Sequence, residues 1–298
     1  MNSKSRSPWA WVPSLYFAQG LPYVAVMTIA VIMYKRLGLS NSEIALYTSW
    51  LYLPWVIKPL WSPFVDLIKT KRLWVTLMQS LVAVGFAGVA FFIPTESWVQ
   101  MTLAFFWLMA FSSATHDIAA DGFYMLGLES GTQAEFVGIR STFYRLSSIF
   151  GQGVLVVIAG LLERRTGDIP QAWSTTLIIS AVIFAAVTLW HTFRLPCPAS
   201  DSSRLEVGTG RAREIFQEFR RTFVTFFRKK HVWMAMAFML LYRLPEAFLV
   251  KMMNPFLLDP MSEGGLGLST ETVGIVYGTV GVAALTVGGI LGGIAASR

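Results

Sequence analysis

Apolar residues run along this chain in long blocks rather than alternating or recurring on a single helical stripe. A helix needs about 20 mostly apolar residues to cross the hydrocarbon of a bilayer. Eight blocks meet that length, roughly 9–34, 43–64, 73–93, 97–118, 137–162, 173–193, 232–257 and 272–296. The pattern predicts an all-α membrane protein. The first block follows Lys4 and Arg6, as a signal peptide would. Its apolar run is too long for one and shows no convincing cleavage site, so it reads as an uncleaved first helix.

The polar breaks are short except at 194–230. That stretch opens on Pro196, Pro198 and a Ser/Asp run, which reads as linker. Ile215, Phe219, Phe223, Phe226 and Phe227 then recur at helical spacing, backed by Arg and Glu. This stripe predicts a helix on the cytoplasmic membrane face with its basic side toward anionic headgroups. A helix that docks a partner, such as a calmodulin target, has the same pattern. The expected organisation is a six-helix bundle over 1–193, a cytoplasmic linker over 194–230, and the first two helices of a second bundle over 231–298.

Composition agrees with the blocks. Hydrophobic residues make up 54% and charged residues 14%, against roughly 25% charged in soluble domains. The net charge is +7, but it is spread over short loops, which argues against nucleic acid. With the N-terminus in the cytoplasm, sixteen Lys and Arg fall in inside segments. Only Lys35, Arg36, Arg164 and Arg165 fall outside. That asymmetry sets the orientation expected in a bacterial inner membrane. Cys197 is the one cysteine, which excludes a disulfide framework and a cysteine-based zinc site. His116, His191 and His231 do not cluster in sequence, and no metal or cofactor motif stands out. The phosphate-binding Gly-rich loop of ATP-driven pumps and the common protease and esterase motifs are absent, so an enzyme is not expected.

One block recurs. Leu37-Gly38-Leu39-Ser40 precedes Glu43 and the second apolar block; Leu266-Gly267-Leu268-Ser269 precedes Glu271 and the eighth. Pro22 and Pro245 lie in the helices before them. Six helices separate the copies, an even number, so the two halves run parallel. Two six-helix halves about an axis along the membrane normal is the major facilitator arrangement. On this expectation four helices of a twelve-helix fold lie beyond residue 298, and the 298-residue stretch is not functional alone.

Several polar side chains in apolar blocks are candidates for chemistry, because such residues are costly in a membrane. Asp117 and Asp121 share a face of the fourth helix. As a like-charge pair they suit proton carriage; either can instead pair with Lys71 or Arg72 as part of a gate. On the fifth helix Ser141, Arg145, Ser148 and Gln152 form a polar stripe. Arg145 can hold an anionic substrate group or neutralise an aspartate. The first helix sets Tyr16, Gln19 and Tyr23 on one face beside Pro22. The seventh sets Tyr242, Arg243 and Glu246 around Pro245. Proline-interrupted helices at corresponding positions point to a transport site, with Glu246 a further proton candidate unless it simply pairs with Arg243. Lys58 and Lys251 lie near helix ends and can snorkel. Gly274/Gly278, Gly288/Gly292 and Gly289/Gly293 suit close helix packing.

The loop from Ser62 to Arg72 resembles the signature between the second and third helices of the major facilitator superfamily. Asp66, Lys71 and Arg72 match it, while Ser62, Ile68 and Lys69 depart from its glycines. The resemblance implies that this loop locks the two halves in one state through charge pairs. The stretch Asp117-Ile118-Ala119-Ala120-Asp121, with Leu15-Tyr16-Phe17-Ala18-Gln19-Gly20-Leu21-Pro22-Tyr23, resembles the AmpG-type muropeptide permeases and the related acetyl-CoA transporter family. That family usually has a basic residue at the third position after the second Asp; here it is Tyr124. The resemblance implies proton-driven import of a cell-wall sugar-peptide by a monomer. The rivals are another solute in the same fold, such as an oligosaccharide, sugar or drug, and a non-transporting membrane sensor.

Overall fold

The computed structural model describes residues 7–201, 217, 220, 221 and 224–288. The expected surface stripe at Ile215, Phe219 and Phe223, and Gly289, Gly292 and Gly293, lie outside the described residues. The stripe's last members, Phe226 and Phe227, are helical, and Phe227 packs 5.4 Å from Trp233. Among the described residues the fold is helical throughout.

Helix α1 is Pro8–Arg36. It carries Pro22 and, just after it, a π turn at Ala25–Ile29. Proline lacks the amide donor and crowds the preceding turn, so a local change of helical pitch follows. The second apolar block is not one helix. It is broken into α2 Asn41–Ser49, α3 Leu53–Ile57 and α4 Ser62–Leu67, joined by 3-10 turns at Trp50–Tyr52 and Lys58–Leu60. Pro54, Pro59 and Pro63 each remove a donor and disfavour helix at the residue before, so a continuous span cannot form.

Helices α5 Lys71–Phe92, α6 Trp98–Gly127, α7 Ser130–Thr166 and α8 Ile169–Arg194 complete the first bundle. Beyond it lie α9 Val232–Leu258 and α10 Thr270–Gly288. Among the described residues six helices, α1, α5, α7, α8, α9 and α10, are long and apolar enough to cross a membrane. The count differs from the eight expected for two reasons. One is the broken second block. The other is α6, which has 30 residues but carries Ser112, Ser113, Thr115, His116 and Asp117 in its second half.

The repeated blocks fold alike. Gly38 and Gly267 take positive φ, 93° and 63°, a region open to glycine at little cost. Ser40 and Ser269 follow as N-caps with ψ of 154° and 155°, each accepting an amide hydrogen from three residues on. Ser40 and Glu43 form a full capping box, which is worth about 1 kcal/mol. The same four letters therefore start a helix in each half.

In the first bundle α5 packs on α6 and α8, and α1 packs on α6 and α7. Two apolar clusters fill it, one around Ile29, Phe86 and Phe106 and one around Trp11, Phe123 and Leu195. A buried polar chain crosses between helices. Ser14 Oγ meets His191 Nε2, His191 Nδ1 meets Gln79 Oε1, and Gln79 Nε2 meets His116 Nε2, each at 2.9 Å. Two histidines far apart in sequence thus share one network. The halves touch from the end that carries Lys35, Arg36 and Asp259 inward along α7 and α10. Midway along α7, Gly278 of α10 lies so near Gln152 that an added Cβ would fall 2.0 Å from the Gln152 carbonyl oxygen. Most of α9 is exposed, including Trp233, Met234, Phe238 and Leu241.

Asp259 follows α9 and joins it to α1 and α2. Lys35 pairs with it, and Asn41 Nδ2 donates to it at 2.8 Å. Burial pushes its carboxyl up, but the hydrogen bonds from Lys35 and Asn41 outweigh burial and hold it below the ordinary value. A lowered folded-state value contributes stability above the unfolded value and loses it as pH falls through the folded one. The stability gap between the detergent-solubilised protein and its Asp259→Asn variant should hold from pH 7 to about pH 4 and shrink below it. Thermal midpoints measured across that range check this.

Candidate functional site

Between α1, α6 and α7 lies a cavity of about 400 Å³ lined by Tyr16, Gln19, Asp117, Arg140, Ser141, Tyr144 and Arg145. The π turn and Pro22 lie on α1 beyond its lining residues; Asp117 lines the cavity, and Asp121, one turn on along α6, lies outside the lining but pairs with Arg140, which is part of it. The two carboxylates do not share a cation. Asp117 Oδ2 meets Lys58 Nζ at 3.3 Å. Asp121 Oδ1 meets Arg140 Nη2 at 2.8 Å and accepts from Tyr16 OH at 3.0 Å. The Arg140 guanidinium also lies over two rings, 4.5 Å from Tyr16 and 4.9 Å from Tyr124. These rings meet edge-on at 5.7 Å.

The contact at Tyr124 answers the departure seen in the sequence. In this chain the cation over Tyr124 and beside Asp121 is Arg140 of α7. The pairing of either aspartate with Lys71 or Arg72 is overturned, because those residues are engaged elsewhere. Lys71 is buried, pairs with Asp66 and donates to the Val65 carbonyl at 3.0 Å. Arg72 Nη2 donates to the Thr192 carbonyl at 2.5 Å. Asp201 Oδ1 and Oδ2 accept from the backbone amides of Lys71 at 2.7 Å and Arg72 at 3.0 Å. The start of the linker thus caps α5 from 130 residues away. Lys69 has φ of 59°, which explains why glycine suits this loop.

Arg145 does not neutralise an aspartate. It lines the cavity, and no carboxylate among the described residues lies within 4 Å of it. Gln19 Oε1 is buried with no hydrogen-bond partner among the described residues. Arg145 and the Gln19 amide oxygen are open to a ligand, while the Gln19 side chain also hydrogen-bonds to Asp117. Tyr23 is not part of the cavity lining; it meets Trp55 edge-on at 5.2 Å, and Trp55 stacks on Tyr52 at 6.5 Å, an aromatic row on α1 and the broken second block. The polar stripe of α7 divides: Ser141 and Arg145 line the cavity, Ser148 Oγ meets the Tyr144 carbonyl at 3.5 Å, and Gln152 packs at the boundary with α10. On α9, Arg243 pairs with Glu246, Tyr242 stacks on Phe238 at 6.0 Å, and none of the three lines the cavity.

Sequence reasoning undervalued Lys58, Arg140 and Tyr144. A lysine inside an apolar block is itself a signal, and the prolines around it forecast the break that turns it inward. Arg140 was legible only as a loop charge, because its partner is on another helix. Tyr144 lies one turn beyond Arg140, on the same face.

The description of the BT1 family matches residues 17–291. The anhydromuropeptide permease of Escherichia coli (strain K12) is 26% identical over 297 residues, covering 95% of this chain and 54% of that protein. The putative transporter AmpG 4 of Rickettsia conorii is 24% identical over 298 residues, covering 95% of this chain and 66% of its own. The putative transporter AmpG 3 of Rickettsia typhi is 24% identical over 261 residues, covering 82% and 57%. The chain spans about half the length of the first of these relatives.

The Arg140 arrangement sets an expectation for stability. Arg140→Ala removes a half-exposed ion pair and two ring contacts, together on the order of 1–2 kcal/mol. Arg140→Lys keeps the charge but not the flat stack, so it should recover only part. Thermal unfolding of the detergent-solubilised variants measures both; equal midpoints for Ala and Lys would refute the stacking role.

Proposed function

The chain belongs to the BT1 family, and on that premise we propose that it is a secondary active transporter importing a muropeptide-like, cell-wall-derived sugar-peptide with protons by alternating access. The observation that carries this reading is the charge count of the cavity lining together with its ion-pair partners Lys58 and Asp121. Two carboxylates each hold their own cation, and Arg145 is a third cation without an anion. A surplus positive charge in a confined space favours an anionic ligand. A guanidinium fork matches a peptide carboxylate, and the Tyr16 and Tyr144 rings of the lining suit sugar rings. A relative named for anhydromuropeptide supports the substrate class.

Asp117 is the better proton carrier of the two aspartates. Its one ion pair, with Lys58 at 3.3 Å, is longer than a strong charge-assisted bond, and its other partner is the neutral Gln19 amide. Asp121 is held more closely, by Arg140 at 2.8 Å and Tyr16 at 3.0 Å. Substrate contacts are assigned to Tyr16, Gln19, Tyr23 and Arg145, with Gln152, Tyr242 and Arg243 joining from the boundary between halves. Glu246 is a secondary proton candidate, and Asp66, Lys71 and Arg72 form the gating loop. The protein acts as a monomer in the bacterial inner membrane, with its N-terminus and the cavity on the cytoplasmic side.

The physical steps follow from the charges. While Lys58 pairs with Asp117, that carboxylate stays ionised. When an anionic ligand enters beside Arg145, it competes for the Lys58 ammonium, a mobile charge on a flexible stem. An unpaired carboxylate among apolar helices is costly, so charge balance returns when Asp117 takes a proton. Substrate and proton binding then reinforce each other, as linkage requires.

Uptake tests the reading directly. The complete gene, expressed in cells lacking their own muropeptide permease, should accumulate labelled anhydro-muropeptide, and collapse of the proton gradient should stop it. No uptake by properly inserted protein would refute the substrate. Arg145→Ala should raise the apparent KM roughly 10- to 100-fold, the loss expected for a hydrogen bond to a charged group. Asp117→Asn should abolish accumulation while counterflow survives; loss of both would make Asp117 a binding or gating residue instead.

A further inference from the structure

We infer that Glu163 is the latch that holds the end of the protein opposite the cavity shut. Glu163 lies in the last turns of α7, at the boundary with α10, and is only 9% exposed. Its carboxylate is met from three other helices. From α1, Arg36 Nη2 lies 2.9 Å from Oε2 and Arg36 Nε 3.1 Å from it. From α8, Trp173 Nε1 donates to Oε1 at 2.8 Å. From α10, across the boundary between halves, Thr270 Oγ1 donates to Oε2 at 2.7 Å.

Thr270 is the first residue of α10, so the carboxylate also faces the positive end of that helix dipole. One charge therefore gathers three helices of the first half around the start of a helix of the second. Two neighbouring cations have anions of their own. Arg164 pairs with Glu271 at 3.0 Å on the exposed rim, and Lys35 pairs with Asp259. Removing the Glu163 charge leaves Arg36 without its anion and Trp173 and Thr270 facing a weaker acceptor. A glutamine cannot replace it, because its amide nitrogen is a donor where Arg36 already donates.

This positions Glu163 as a control on the closed state rather than on ligand contact. The cavity lies on the far side, among Tyr16, Asp117 and Arg145. Nothing in the latch touches it, so Glu163 is expected to act through the equilibrium between open and closed ends.

The test uses the product of the complete gene with its native cysteines replaced and one cysteine introduced by Ser141→Cys in the cavity. A membrane-impermeant maleimide is added to intact cells and, separately, to inside-out vesicles. Glu163→Gln should raise labelling from the Glu163 side about tenfold or more, the effect of losing one charge-assisted hydrogen bond. Glu163→Asp keeps the charge and should restore much of the block. Thr270→Val removes one bond and leaves the charge, so it should raise labelling severalfold. If Glu163→Gln does not reach the membrane, Thr270→Val decides alone. Unchanged labelling in the folded variants overturns the latch, and so does an equal rise in Glu163→Asp and Glu163→Gln. A rise seen only from the cytoplasmic face supports the latch and overturns the proposed orientation instead.

Discussion

A carboxylate buried among apolar helices is costly unless the protein supplies it with a counter-charge or hydrogen bonds, because lipid supplies none. Asp117, Asp121, Glu163 and Asp259 follow this rule, and each answer comes from another part of the chain. Asp117 ties α6 to the broken second block through Lys58. Asp121 ties α6 to α7 and α1. Glu163 ties α7 to α1, α8 and α10. Asp259 ties the end of α9 to α1 and α2. Apolar contact alone lets helices slide in a bilayer, where side chains and lipid tails are equally apolar. The ion pairs fix which faces meet.

Their distribution gives the molecule two unlike ends. On the cavity side the pairs stay within the first half, so the space between helices is open and polar. On the opposite side they cross between halves, at Glu163 with Thr270 and at Asp259 with Lys35. A transporter that alternates access needs this asymmetry to be reversible. Single charges and single hydrogen bonds at a boundary suit that better than a broad apolar seam, because one protonation or one displaced partner can shift them.

Much of the architecture is legible in the letters. The apolar blocks announce helices by length alone, and the Leu-Gly-Leu-Ser blocks announce two helix starts, since a left-handed glycine and a serine cap are local devices. Tyr16, Gln19, Asp117 and Arg145 were expected on polar helix faces, and they meet in one cavity. The second block misled because apolar content masked the effect of Pro54, Pro59 and Pro63. Lys58 was then misjudged with it: read on a straight helix it snorkels, but on a broken one it turns toward Asp117.

What the sequence determined by itself was everything settled within a few turns: which stretches are apolar enough to leave water, where proline stops a helix, and where glycine and serine begin one. The tertiary structure decided the pairing of charges. Lys58 and Asp117 are 59 residues apart, and Arg36 and Glu163 are 127 apart. No local rule selects such partners. They are chosen by which helices become neighbours, and a contact ion pair with its hydrogen bonds forms only after the packing has brought them together.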